Sequence, residues 1–328
     1  MLSRRMKKRI IQIHKLFGLV LIILVLASCT ATRMSTAQLP QYSEVGAVQT
    51  APSYTFGIVY PMAHSFYEVV TERAEQAAVE HHIEIIVKAP DEPNLEQQIR
   101  IMETLIRQGV DGIAIAPIDS AALAPYIDQA VQSGIPVVCF ESDAPESMRA
   151  TYIGSDNLES GLRIGQAIDQ LLEGRGMILL ETGMDSMRSL DERLEGFLTY
   201  IRDETEIDVL DVRYNEGKSD LALAELERMI DDHPHFDAFV SLDYISGASS
   251  VLVWKAMGLN RYVLTLGMMP DLAEAIRNGQ ITSAISQNEV LWGELIVRHL
   301  LWAQEGRALP ELVDTGITLV DVDNNLTD

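Results

Sequence analysis

Short, nearly continuous apolar runs alternate with longer amphipathic stretches along most of this chain, and that alternation restricts the fold more than any other feature. The apolar runs read as strands at Tyr54 to Val59, Ile83 to Val87, Gly112 to Ala116, Pro136 to Phe140, Gly176 to Leu180, Ile207 to Val212, Ala238 to Leu242, Tyr262 to Leu266, Ile281 to Ile285 and Thr315 to Val320. Between them lie helical patterns such as Phe66 to Glu80, Leu95 to Gln108, Ala121 to Ser133, Leu158 to Leu172 and Asp191 to Arg202. Strands that are apolar throughout, separated by helices, imply parallel sheets covered on both faces, hence an α/β fold. Gly109 and Gly134 follow helices as stop signals, and Asp119-Ser120 and Ser219-Asp220 supply N-cap residues. So many strands exceed one sheet in a chain of 328 residues, which predicts two domains. The break falls near Ile153-Gly154-Ser155-Asp156-Asn157, where a short strand meets a glycine and a new helix starts.

Chemistry-bearing motifs are scarce. The sequence has no HExxH, no GxSxG, no phosphate loop and no GxGxxG after a strand. The seven histidines are scattered and read as surface residues, and no metal site or cofactor is expected. Asp321-Val322-Asp323-Asn324-Asn325 lacks the glycine and closing glutamate of a calcium loop. Nothing resembles a nucleophile paired with a base, so an enzyme is not expected.

At the N-terminus, Arg4, Arg5, Lys7, Lys8, Arg9 and Lys15 precede an apolar run from Leu16 to Leu26, and Ala27-Ser28 lead into Cys29. This is a secretory signal peptide (1–28) ending in a lipobox, similar to the bacterial lipoprotein pattern, which implies cleavage before Cys29 and its lipidation. The competing account is an uncleaved anchor, for which the apolar run is short of the roughly 20 residues a span needs. Either way the remainder is extracytoplasmic. Residues 29–52 show no periodicity and read as a flexible, lipid-bearing tether. Without the six basic residues of the leader, 19 basic side chains face 48 acidic ones. Such a charge opposes nucleic-acid binding. With Cys29 consumed, Cys139 stands alone at the end of an apolar run and reads as a buried, inert thiol, so no disulfide is possible.

Several stretches, weak singly, are specific in their order and spacing. They are Phe56-Gly57-Ile58-Val59 with the loop through Phe66-Tyr67; Gln108-Gly109-Val110-Asp111-Gly112-Ile113-Ala114-Ile115-Ala116-Pro117; Gly134-Ile135-Pro136-Val137-Val138; Tyr152-Ile153-Gly154-Ser155-Asp156-Asn157; Glu192-Arg193-Leu194-Glu195-Gly196-Phe197; and Gly279 to Gln287. Together they resemble the sugar-binding periplasmic proteins of the ribose and galactose type, across residues 53 to 322. The resemblance implies two doubly wound parallel-sheet domains joined by a three-crossing hinge, the type I periplasmic binding protein fold. It places an N-terminal lobe at 53–155 plus 287–314 and a C-terminal lobe at 156–286 plus 315–328, with crossings near Gly154 to Asp156, Ser286 to Gln287 and Asp314 to Gly316. In open parallel sheets ligands bind beyond the carboxyl ends of strands, and contacts from both lobes drive closure of a cleft.

The same resemblance sets out the ligand-binding residues. Phe66 and Tyr67 would form an aromatic wall for a sugar ring, with His64 as a polar neighbour; the competing account has Phe66 opening the core stripe of its helix. Glu141, Ser142 and Asp143 follow the fourth strand, with glutamate where the family has a hydroxyl-binding aspartate. Arg193 matches a cleft arginine, against the alternative of a surface ion pair with Glu192 or Glu195, and Gln287 matches a ligand glutamine at a crossing. Asp243 ends a strand, while Leu242 stands in place of a ligand asparagine. Gly267 stands in place of a ligand aspartate, and with Met268 and Met269 it suggests a less polar floor. The implied protein is a monomeric, lipid-anchored solute-binding protein that captures a small sugar-like or polyol ligand for the permease subunits of an ABC transporter. The alternative is a sensing module that presents its closed form to a receptor or histidine kinase.

Overall fold

A computed structural model describes residues 53–323. The expected signal peptide, Cys29 and the tether lie outside these residues, as do positions 324–328. Two six-stranded sheets are formed. The first contains β1 (Tyr54–Val59), β2 (Ile83–Lys88), β3 (Gly112–Ile115), β4 (Val137–Phe140), β5 (Thr151–Gly154) and β11 (Leu312–Asp314), in the order β11-β5-β4-β3-β1-β2 and parallel throughout. The second contains β6 (Arg175–Thr182), β7 (Glu206–Tyr214), β8 (Ala238–Ser241), β9 (Tyr262–Leu266), β10 (Ser283–Ser286) and β12 (Thr318–Asp321), ordered β12-β10-β9-β8-β6-β7. Both share one doubly wound order, whose switch points lie between β1 and β3 and between β6 and β8.

Three features depart from the expected pattern. The three-residue β11 was not foreseen, because Leu312-Val313-Asp314 is too short to show a period. β12 runs antiparallel to β10, since it returns on the sheet edge without a crossover helix. Ser219-Asp220 does not cap its helix, whose N-cap is Lys218 with no side-chain bond, whereas Asp119 Oδ1 accepts Ala122 N–H at 2.8 Å as expected.

Nine α-helices are described: α1 (Glu68–His81), α2 (Leu95–Gln108), α3 (Ser120–Gln132), α4 (Asn157–Leu172), α5 (Arg188–Glu204), α6 (Ser219–Asp232), α7 (Tyr244–Met257), α8 (Pro270–Arg277) and α9 (Trp292–Gln304). Side chains alternate across each sheet into two cores. Phe56, Ile58 and Phe140 pack under α1 and α9, while Val59, Ile113 and Cys139 pack under α2 and α3. In the second sheet Ile178 and Leu180 pack beneath α4 and α5, and Leu179 and Phe239 beneath α6 and α7.

The chain passes between the sheets after Gly154, after Ser286 and after Asp314. These passages are bonded to one another: Ser155 Oγ donates to Gly316 O at 2.8 Å, Asn288 Nδ2 to Thr315 O at 2.7 Å, and Thr315 Oγ1 to Gln287 O at 2.9 Å.

The helix pair α4/α5, which carries Arg193 toward the seam, owes its close approach to glycine. A Cβ on Gly161 would lie 2.1 Å from Arg193 O, and one on Gly196 would lie 2.1 Å from Leu158 O. Backbone cannot yield as a flexible side chain does, so Gly196→Ala has to push α5 away from α4. The expected outcome is a loss of about 1–3 kcal/mol in stability, seen as a melting midpoint several degrees lower. An unchanged midpoint in thermal denaturation would show that the two helices separate freely.

Candidate functional site

Carboxyl ends of both sheets converge on one small cavity. Its lining includes Met62 after β1, Glu141 after β4, Gly183, Met184 and Met187 after β6, Leu190 and Arg193 on α5, Asp243 to Ile245 after β8, Leu266 of β9 and Gln287 after β10. Thus four of the expected site residues, Glu141, Arg193, Asp243 and Gln287, meet at one place. The cavity is only about 20 Å³, enough for one water molecule.

Arg193 sits at the seam, 2% exposed, which excludes the surface ion pair; Glu192 instead pairs with Arg188. Its Nη1 donates to Leu242 O at 2.7 Å, and its Nη2 to Asn157 Oδ1 at 2.6 Å and Gln287 Oε1 at 3.0 Å. Its Nε is buried without a partner. Arginine donors and the Gln287 acceptor are therefore largely occupied by each other and by the hinge. Asp243 is likewise committed as the N-cap of α7: Oδ1 accepts the N–H of Ile245 and Ser246, and Oδ2 accepts Asn215 Nδ2 and Ser246 Oγ.

Glu141 has a left-handed backbone, φ 60°, a strained conformation for a residue with a side chain. It is held by Glu141 N–H donating to Ile153 O at 3.1 Å and by Tyr152 O–H donating to Glu141 O at 2.9 Å. Its Oε2 accepts the Tyr67 hydroxyl at 2.7 Å.

Phe66 and Tyr67 are buried in an aromatic cluster with Tyr60 and Trp292, and Phe66 enters the core as the competing account has it, while Tyr244 of the second lobe lies against the cluster. Tyr244 stacks on Phe66 with centroids 4.3 Å apart and planes 2° apart, and its hydroxyl is 2.9 Å from that of Tyr67. The His64 ring is half-buried 5.0 Å from Tyr244, and its Nδ1 accepts Phe66 N–H. Ser142 Oγ accepts Ser189 N–H at 3.3 Å, joining the strand end to α5.

Asp143 is not brought to the cavity. Arg149 grips both its oxygens, Nε at 2.5 Å and Nη2 at 2.7 Å, and together they line an outer depression with Tyr152 and Asp156. Nor do Met268 and Met269 form the apolar floor; they pack on the two cores instead. The methionines of the cavity are Met62, Met184 and Met187, and the last two form an apolar cluster with Ile118 and Leu190. Sequence reasoning missed them and Tyr244, although each follows a strand's carboxyl end, which was the available signal.

Burial pushes the Glu141 carboxyl up to about 7, against the opposing pull of the Tyr67 hydroxyl and Arg193. Glu181, on β6 beside Asn215, rises to about 9 through burial and repulsion from Asp243, and its Oε2 has no partner. Burial raises Asp243 as well, opposed by its four hydrogen bonds. A carboxyl raised in the fold holds its proton more tightly there than in the unfolded chain. The stability it contributes is full below about 4.5 and is lost as pH rises through about 7 for Glu141. Glu141→Gln removes this dependence while keeping an acceptor for Tyr67. Its melting midpoint relative to the parent should be higher at pH 8 than at pH 5; a difference that stays constant would place the Glu141 titration elsewhere.

The chain matches the family described as the periplasmic binding protein domain over residues 56–308. It is similar to the ribose import binding protein RbsB of Bacillus subtilis (strain 168), 23% identical over 258 residues that cover 78% of this chain and 83% of that protein. Among solved structures, an ABC transporter solute-binding protein from Burkholderia graminis C4D1M in complex with D-arabinose superposes with a TM-score of 0.79 at 26% identity, covering 84% of this chain and 97% of that one. A chain of the XylFII-LytSN complex has the same fold, with a TM-score of 0.77 at 19% identity over 84% of this chain and 99% of that one. With two doubly wound sheets opposed across a triple crossing, the chain belongs to the periplasmic binding protein domain family and has its type I fold.

Proposed function

We propose that this chain is an extracytoplasmic, lipid-anchored solute-binding protein that captures a small polar ligand, a sugar or polyol, by hinge closure and presents the closed form to ABC permease subunits. The observation that carries this reading is the convergence of Glu141, Arg193, Asp243 and Gln287, from both lobes and from a crossing, on one cavity. Hydroxyl-rich ligands need such charged and amide partners, set among apolar walls. The relatives support the ligand class, since RbsB is a ribose import protein and the similar solved protein holds D-arabinose. The lobes comprise 53–155 plus 287–314 and 156–286 plus 315–328, and the solute enters when they part. The protein acts as a monomer, needs no cofactor and is not an enzyme. Its N-terminal 28 residues are the signal peptide, and Cys29 bears the lipid, with two or three acyl chains making anchorage stable where one would not.

A second reading, a sensor whose closed form engages a protein partner, draws on the likeness to a chain solved in the XylFII-LytSN complex. Both readings use one closed state and differ in what recognises it.

A ligand that binds only the native state raises the melting temperature, by about 2.7 kcal/mol of added stability at a hundredfold excess over Kd. A thermal-shift screen against pentoses, hexoses and polyols should yield such a ligand, and Gln287→Ala should weaken it by about 1–3 kcal/mol. The sugar reading would fail if no compound shifted the transition and native mass spectrometry found none carried over. Mass spectrometry of the membrane-bound protein should find Cys29 as its first residue, carrying acyl chains. An intact leader with an unmodified Cys29 would favour the uncleaved anchor.

A further inference from the structure

Tyr244 is the first residue of α7 in the second lobe, directly after its N-cap Asp243, yet its ring is buried in the aromatic wall of the first lobe. It joins the apolar cluster of Tyr60, Phe66, Phe140 and Trp292, and the neighbouring Ile245 and Ala222 enter that cluster with it. The ring lies flat on Phe66, 4.3 Å away, and edge-on to Tyr67 at 5.8 Å. Its hydroxyl completes a relay: Tyr67 donates to Glu141 Oε2 at 2.7 Å, which leaves the Tyr67 oxygen to accept from Tyr244 at 2.9 Å. Burial raises the hydroxyls of Tyr67 and Tyr244 well above their usual range, so both keep their protons.

Gly267 makes room for this arrangement. Its φ of 84° lies in the left-handed region, and a Cβ there would stand 3.1 Å from both Phe66 Cε2 and Tyr244 Cβ. The lobes also touch elsewhere: Ser186 Oγ donates to Ile118 O at 3.0 Å beside the Ile118, Met184, Met187 and Leu190 cluster, and the space above Gly217 Cα is bounded by Pro93 Cγ.

Closure of a two-lobed cleft requires contacts that exist only when both lobes take part. A bound solute ordinarily supplies them. Here a six-membered ring with a hydroxyl at its edge, stacked on one lobe and hydrogen-bonded into it, is covalently part of the other. We propose that Tyr244 is an internal stand-in for the solute on the Phe66 platform: it favours closure by itself, and a ring-shaped solute binds only by displacing it. The first half concerns the two lobes alone; the second rests on the reading of the cleft as a solute site. Since the cavity left beside Tyr244 is about 20 Å³, the solute and the tyrosine ring compete for one position. Apparent affinity then falls by the fraction of molecules in which the tyrosine is displaced.

Spin labels at Glu92→Cys in the first lobe and Glu216→Cys in the second, both exposed positions, report the lobe separation by pulsed electron resonance. Cys29→Ser leaves Cys139 as the native cysteine, and it is fully buried. The measurement uses the protein freed of small molecules, as verified by native mass spectrometry. With Tyr244 present the distribution should be short and narrow. Tyr244→Ala should shift it to longer, broader distances, and Tyr244→Phe, which keeps the stack and loses the relay, should fall between. Circular dichroism and a cooperative melt establish that each variant is folded. Identical distributions for the parent and Tyr244→Ala would overturn the closing role.

The solute screen on the same proteins tests displacement: a pentose or hexose should bind Tyr244→Ala at least tenfold more tightly than the parent. Equal or tighter binding by the parent would overturn it. A distance shift with no sugar bound by either protein would support intrinsic closure and reject the cleft as a sugar site.

Discussion

The structure depends on one buried cation. Arg193 projects from α5 into the point where the end of β8, the start of α4 and the second crossing come together, and a single guanidinium bonds to all three through Leu242 O, Asn157 Oδ1 and Gln287 Oε1. Taking such a charge out of water costs several kcal/mol unless its donors are satisfied. The fold meets that requirement with rigid partners: Asn157 in turn donates to Tyr152 O–H at 3.0 Å, and that hydroxyl holds the backbone of Glu141. The glycine contacts between α4 and α5 set the depth to which Arg193 reaches. Helix packing, hinge and site are therefore one mechanical unit, in which the Arg193 Nε is buried without a partner.

Around this cation the charges do not balance in the ordinary way. Glu141, Asp243, Glu181 and Glu289 are all buried, and burial raises each of them. Arg193 faces Glu141 and Asp243, whereas Glu181 is repelled by Asp243 and meets only Asn215, at 3.4 Å. Asp243 is raised by burial and opposed in this by two backbone and two side-chain donors that hold its oxygens. Glu141 accepts the Tyr67 hydroxyl and lies near its midpoint at neutral pH. Both acids lining the cavity are thus raised by burial, Glu141 to about 7.

Much of the fold was legible because strands buried on both faces are apolar throughout, a signal that needs no knowledge of partners. Tyr54–Val59 and Tyr262–Leu266 are found where the runs placed them, and Leu95–Gln108 carries its full helical period. β11 and the antiparallel sense of β12 were hidden, since pairing direction depends on where a chain returns, and Leu312-Val313-Asp314 has too few residues to show a pattern. The site was legible only in part. The family resemblance pointed to Glu141, Arg193 and Gln287, but Asp143 turns outward because Arg149, six positions on, folds back to grip it. No periodicity encodes such a return.

The absence of a carboxylate at position 267, together with two adjoining methionines, suggested a less polar floor. The floor is indeed rich in sulfur, but through Met62, Met184 and Met187; the glycine answers a steric demand of another kind. A Cβ at 267 would stand 3.1 Å from both Phe66 Cε2 and Tyr244 Cβ, so glycine there and tyrosine at 244 belong to one solution of the packing. A side chain at 267 would press on both residues and would have to hold a φ of 84°, which glycine takes without cost. Read alone, Gly267 looks like a lost ligand contact. Read with Tyr244, it marks where the protein has placed its own ring across the cleft, and the polarity of the site follows from that exchange.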